Sequence, residues 1–198
     1  AGADVQDFLQ FLAKGAESDF QLQRKISGII FAMRRCPQPI IALVHGAATG
    51  GGFSLALAAD IRIAGHSARM NCAFIKIGLT GADMGTSYHL PRLVGAANAA
   101  GVMYTGRFID AVKAERIGLV NDAVADEEML DAAQEYINQM LATAPVGLRL
   151  TKDALNAAMD APSLTATLAL EDRNQVMTLN GPDLAEGYFN LASLLQSI

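Results

Sequence analysis

Residues 42–60 read ALVHGAATGGGFSLALAAD, and the fold turns on this stretch. An apolar run, IIALV at 40–44, ends in His45-Gly46; Gly50, Gly51 and Gly52 follow, and then the small-residue segment FSLALAAD. The run is short and bounded by turn residues, so it reads as a buried strand, and FSLALAAD reads as a helix. Three adjacent glycines carry a large conformational-entropy cost. Strand, glycine-rich turn and helix are the usual setting in which backbone N–H groups bind negative charge.

Known loops of this kind can be tested against the residues. A P-loop needs Gly-Lys-Ser/Thr after its glycines, and Phe53-Ser54 stands there. The dinucleotide fingerprint needs a glycine where Leu55 stands. Gly52-Phe53-Ser54-Leu55-Ala56 comes near a serine nucleophile elbow, with Asp83 and His89 following in order, but the strand ends near Gly46, well before Ser54. Two readings stay open. The glycines allow tight packing of helix on strand, or they let a substrate carbonyl approach N–H groups that form an oxyanion hole.

Composition bounds the rest. With 198 residues, 52% hydrophobic and 18% charged, the chain reads as one globular domain with a sizeable core. A net charge of -5 offers no basic stripe for nucleic acid. No apolar stretch approaches the ~20 residues of a membrane helix, and no signal-peptide pattern opens the chain, so a cytoplasmic protein with no membrane partner is expected. Cys36 and Cys72 have no metal-type spacing, and no metal site is expected; both are expected to be reduced and mostly buried.

Leu22, Ile26, Ile29, Ile30 and Met33 recur at helical spacing over 19–35, and CPQP stops that helix. IRIAG (61–65) reads as a strand, DAVKAERIG (110–118) as a short helix and LVNDAV (119–124) as a strand. Asp126 is a candidate N-cap for a helix carrying Leu130, Ala133, Ile137, Met140 and Ala144. Pro145, Pro162 and Pro182 punctuate three further helical stretches, the middle one begun by Ser163. The pattern predicts one α/β domain with a helical tail.

The glycine stretch is not alone. AGAD opens the chain at Ala1, and after GGG come ADIRIAGHSARMNCAFIKIGL, GADMGTSYHLPRLVG and TGRFIDAVKAERIGLVNDAV. In this order and spacing they resemble the crotonase, or enoyl-CoA hydratase/isomerase, superfamily over nearly the whole chain. The resemblance implies an α/β fold: a ββα spiral core over 1–125, lacking the family's N-terminal strands, and a helical C-terminal region over 126–198 used for homotrimers or hexamers. It implies an acyl-CoA thioester substrate and no separate cofactor, coenzyme A being part of the substrate. By motif position the two oxyanion N–H groups fall on Ala3 and Gly51, with Ala1, Gly2, Gly50, Gly52, Ser54 and Phe74 around the substrate.

The chain departs from the family where its hydratases carry two glutamates: those positions are Ser54 and Phe74. Neither residue supplies a strong base by itself. Asp83, in GADMGT, resembles the catalytic aspartate of dienoyl-CoA isomerases and the nucleophilic aspartate of aroyl-CoA dehalogenases. It also has the plainer reading of a helix N-cap. His45, His66 and His89 are more ordinary structural or surface residues than catalysts. Gln6 stands where the family often has a lysine, leaving Lys76, Arg69 and Arg107 as candidates for CoA phosphates or as plain surface charges. The expectation is an isomerase using Asp83 as acid and base. The alternatives are a catalytically silent acyl-CoA-binding subunit, a hydratase with a non-standard base, and a Ser54 hydrolase.

Overall fold

The computed structural model describes residues 15–181 and Leu184. Helix α1 (Ala16–Arg35) places Glu17 and Asp19 in its first turn and Arg34 and Arg35 in its last, each sign suiting its end of the helix dipole. Its inward stripe of Ile26, Ile30 and Met33 packs with Ala58 and Met84. Arg34 closes the helix by pairing with Asp60 at 2.9 Å, and the other Asp60 oxygen accepts the N–H of Ile40 at 2.8 Å. Strand β1 (Ile41–Val44) starts from that anchor.

After β1 come β2 (Ala47–Thr49), helix α2 (Gly51–Ala58), β3 (Ile61–Gly65) and β4 (Arg69–Asn71). A 3₁₀ turn at Ala73–Ile77 leads on to helix α3 (Thr86–Met103), which is interrupted at Gly95 (φ 77°). Strand β5 (Ile109–Asp110), helix α4 (Ala111–Arg116) and strand β6 (Asp122–Val124) follow. Asp110 caps α4 by accepting the N–H of Lys113 at 2.8 Å.

The strands form two sheets. One is all parallel in the order β1-β3-β6; in the other β2 pairs parallel with β4, and β4 antiparallel with β5. Helix α2 packs against β2, α1 and α3, and is apolar nearly all round, as a helix enclosed on most sides must be. Phe53 and Leu57 from α2 join Met70, Leu90, Val102 and Leu119 in the main core. Buried Arg62 on β3 closes the C-terminal end of α2, donating to the carbonyls of Ala59 (2.6 Å) and Leu119 (2.8 Å).

The predicted cap at Asp126 does not form. A 3₁₀ turn (Asp126–Glu128) precedes α5 (Met129–Leu141), and the Asp126 carboxylate instead accepts the N–H and hydroxyl of Ser67. Those two bonds hold the carboxyl below the usual range. A three-residue strand also replaces the longer one expected at 119–124, because Leu119 and Val120 are drawn into the core.

A second compact unit takes the chain from Glu135 onward together with Cys36–Pro39. Helix α6 (Pro145–Ala158) begins on its proline, and α7 (Leu164–Leu179) is capped by Ser163, whose hydroxyl accepts the N–H of Ala166 at 3.2 Å. Lys152, buried on α6, donates to the carbonyl of Gln38 at 2.9 Å and so ties the 36–39 segment to this unit. Pro182 lies outside the described residues. Both cysteines are free; Cys72 is buried, and burial pushes its thiol up to about 11. Among the described residues no helix is long and apolar enough to cross a membrane.

Candidate active site

Gly50 is the pivot between β2 and α2. Its backbone has φ 52° and ψ -116°, where a side chain is strained, and its N–H donates to the carbonyl of Asn71 on β4 at 3.0 Å. A Cβ at Gly50 would lie 3.1 Å from the Phe74 ring, so Phe74 packs directly on this backbone. The carbonyl of Gly50 then accepts the N–H of Ser54 at 2.9 Å, closing the first turn of α2. Gly51 and Gly52 are the first residues of that helix, and first-turn N–H groups have no intrahelical acceptor. The positive end of the helix dipole lies at this turn.

Ser54 is fully enclosed. It is 0% exposed; its hydroxyl lies 2.8 Å from that of Thr86 and within hydrogen-bond reach of the carbonyls of Gly50 (3.2 Å) and Asp83 (3.4 Å). One hydroxyl has one proton, so Thr86 donates to Ser54 while Ser54 donates toward the two carbonyls. This knot fastens the glycine turn to the segment that carries Asp83.

Asp83 does not cap α3; the cap position is Gly85, at φ 77°. Met84, between them, sits at φ 47°, the one non-glycine residue with positive φ among the described residues. Backbone strain of this kind persists only where the surroundings fix it. Here they do: the Met84 side chain is buried with Ile30 and Ala58, and its sulfur lies 3.5 Å from where a Gly51 Cβ would be. The turn leaves the Asp83 carboxylate half-exposed. Its Oδ1 accepts the Met84 N–H at 2.7 Å and the side-chain amide of Gln23 on α1.

Phe74, Gly50, Gly51, Ser54 and Asp83 thus meet in one place. Ala1, Gly2 and Ala3 lie outside the described residues. A match to the family model described as enoyl-CoA hydratase/isomerase runs over residues 1–192. The chain belongs to that family. It is 45% identical to the "Probable enoyl-CoA hydratase echA12" of Mycobacterium tuberculosis over 76% of this chain and 53% of that protein. The chain therefore spans about half the length of that relative. It is 34% identical to the "1,2-epoxyphenylacetyl-CoA isomerase" of Escherichia coli over 94% of this chain and 71% of that one. The crystal structure of an enoyl-CoA hydratase from Polaromonas sp. JS666 matches with a TM-score of 0.90 at 31% identity, covering 100% of this chain and 75% of that chain.

Within this enoyl-CoA hydratase/isomerase fold the other candidates take quieter places. Lys76 lays its aliphatic stem over Gly106, and the Arg107 guanidinium lies against Gly101, so both flank the same turn. Arg69 opens β4 opposite Asp110. His45 and His66 are exposed and lie near Asp126. His89 is buried on α3, edge-on to Tyr88 at 5.0 Å. Burial, with the charges of Arg34, Arg62 and Arg92, lowers its pKa to about 4.

That shift carries a sign. His89 stays neutral in the folded chain while the unfolded chain takes up a proton below about pH 6.5, so stability falls as pH drops from there toward 4. The loss is on the order of 3 kcal/mol. Denaturant melts from pH 7 to 4.5 check this: the slope should flatten in His89→Leu, and an unchanged slope would refute it.

Ser54 yields a second expectation. Ser54→Ala removes the centre of the knot and leaves the Thr86 hydroxyl without its partner, at a cost of about 1–3 kcal/mol, read as a lowered Tm. Because the hydroxyl is enclosed, a fluorophosphonate probe should not label Ser54; stoichiometric labelling there would revive the hydrolase reading. Sequence reasoning missed Gln23 and Thr86. Gln23 left no signal in the helical pattern: it is an exposed polar residue of α1, like its neighbours Arg24 and Lys25.

Proposed function

We propose that this chain is an acyl-CoA isomerase. The thioester carbonyl is held by the N–H groups of Gly51 and Ala3, and Asp83 moves the proton. The supporting observation is the knot through Ser54 and Thr86, which binds the backbone of Asp83 to the turn that presents Gly51. With a 3-enoyl-CoA, the Asp83 carboxylate takes a proton from C2, and the C–H electron pair moves into an enolate whose charge grows on the thioester oxygen. An N–H at a helix start, fixed before reaction, stabilises that charge without reorganising. Asp83 then returns the proton at C4 as the double bond shifts to C2–C3. One proton leaves and one returns, so the step needs no further cofactor.

Phe74 and Ser54 favour this over hydration, because neither can activate a water: the Phe74 ring packs on Gly50 and the Ser54 hydroxyl is enclosed. The name of the E. coli relative adds support on the isomerase side. Steady-state assays with 3-enoyl-CoA, 3,5-dienoyl-CoA and crotonyl-CoA test it. Turnover of either of the first two well above hydration of crotonyl-CoA is expected, and the reverse order would overturn it. The same two residues favour, as a second reading, an acyl-CoA-binding chain without turnover; binding of all three thioesters with no product would select it. We also read the second unit as an oligomerisation element for a homotrimer or hexamer, since Leu155, Leu164, Val176 and Met177 are exposed on its helices.

A further inference from the structure

Among the described residues, the Asp83 carboxylate is held from one side only. The Met84 N–H and the Gln23 amide both donate to Oδ1, and among the described residues nothing donates to Oδ2. Gln23 comes from α1, on the stripe whose next members, Ile26, Ile30 and Met33, pack with Met84 and Ala58. That packing sets the distance between the helix and the Asp83 turn, and a glutamine is long enough to span it. Gln23 itself is exposed at the edge of that packing, where its amide meets the carboxylate.

We infer that Gln23 is a positioning residue: by holding Oδ1 together with the Met84 N–H, it leaves Oδ2 to carry the substrate proton. The inference rests on the acid–base role proposed for Asp83. The chemistry is consistent through the cycle. As a carboxylate, Asp83 offers the free lone pairs of Oδ2 to the substrate C–H. As a carboxylic acid with its proton on Oδ2, it keeps Oδ1 as a carbonyl oxygen that accepts the same two hydrogen bonds. Gln23 donates identically in both states, so the carboxyl does not turn between taking and returning the proton. Misplacing a reacting group by about 1 Å can cost on the order of 100-fold, and Gln23 is what restrains this one from α1.

The test uses the whole chain with Gln23→Ala, Gln23→Glu, Asp83→Asn and the Gln23→Glu/Asp83→Asn double variant, assayed on 3-enoyl-CoA. Gln23 is exposed, so the single variants should keep the parent Tm. Gln23→Ala should lower kcat about 10-fold, and the isosteric Gln23→Glu, which sets an acceptor against an acceptor, about 100-fold, with KM within about 2-fold. In the Asp83→Asn background, Gln23→Glu should cost nothing further. Parent-like kcat in Gln23→Glu, or an equal loss with and without Asp83, would overturn the inference. If Asp83→Asn itself kept parent activity, the acid–base reading would fall first; loss in Asp83→Asn with none in Gln23→Glu would sink this inference alone.

Discussion

Asp83→Asn should lower kcat on a 3-enoyl-CoA by roughly 100- to 10,000-fold, the range over which a positioned acid–base group contributes. The substitution suits the site. Asparagine has the same shape, and its carbonyl oxygen can take the place of Oδ1, accepting the Met84 N–H and the Gln23 amide as before. What changes is the second position, where an amide nitrogen replaces the oxygen that would take a proton. The backbone carbonyl of Asp83, which meets Ser54, is untouched. Tm and KM should therefore stay near the parent values while kcat falls, the pattern of an interaction made in the transition state. If kcat stays within about threefold of the parent, the role assigned to Asp83 is wrong.

Gly51→Pro should cost about 100- to 1000-fold in kcat, the penalty for losing one oxyanion donor. Proline removes the N–H and keeps a backbone that this position accepts. Gly51 is the first residue of α2, where a helix accepts proline readily. The residue before a proline must avoid helical backbone, and Gly50 at φ 52° and ψ -116° is the mirror image of an extended conformation, which achiral glycine can adopt there. A Cβ at Gly51 would meet the Met84 sulfur at an ordinary 3.5 Å. Gly51→Ala is the control: it adds a Cβ but keeps the N–H, so its kcat should stay close to the parent. Equal losses in the two variants would point to crowding and remove the oxyanion role from Gly51.

The sequence was legible wherever a local rule decided the outcome. The 40–44 run became β1 from Ile41, and FSLALAAD lies in α2 up to Ala58, because a short apolar run between turn residues and an apolar small-residue segment have few other ways to be buried. Ser163 became an N-cap because its hydroxyl bonds within one turn. Legibility failed where the partner is far away in the chain. Strands β2 and β4, AAT and RMN, are too short to show any alternation, and each exists because it pairs with the other. Asp126 has the right type for a cap, but the Ser67 N–H and hydroxyl, 59 positions distant, draw its carboxylate instead.

The candidate site divides the same way. The glycines, the missing carboxylates at positions 54 and 74, and the aspartate in GADMGT are all visible in one dimension. They mark the family and cast doubt on hydration before any coordinate is known. Only the tertiary structure decided what Ser54 does, because whether a buried hydroxyl faces a ligand or closes a knot depends on Thr86 and Asp83, which reach it from another element. Only the tertiary structure brought Gln23 to Asp83, 60 positions away, because the stripe of α1 must first pack on Met84. Composition and local hydrogen bonding are written along the chain; which oxygen of a carboxylate stays free is set by neighbours that meet only after the core has closed.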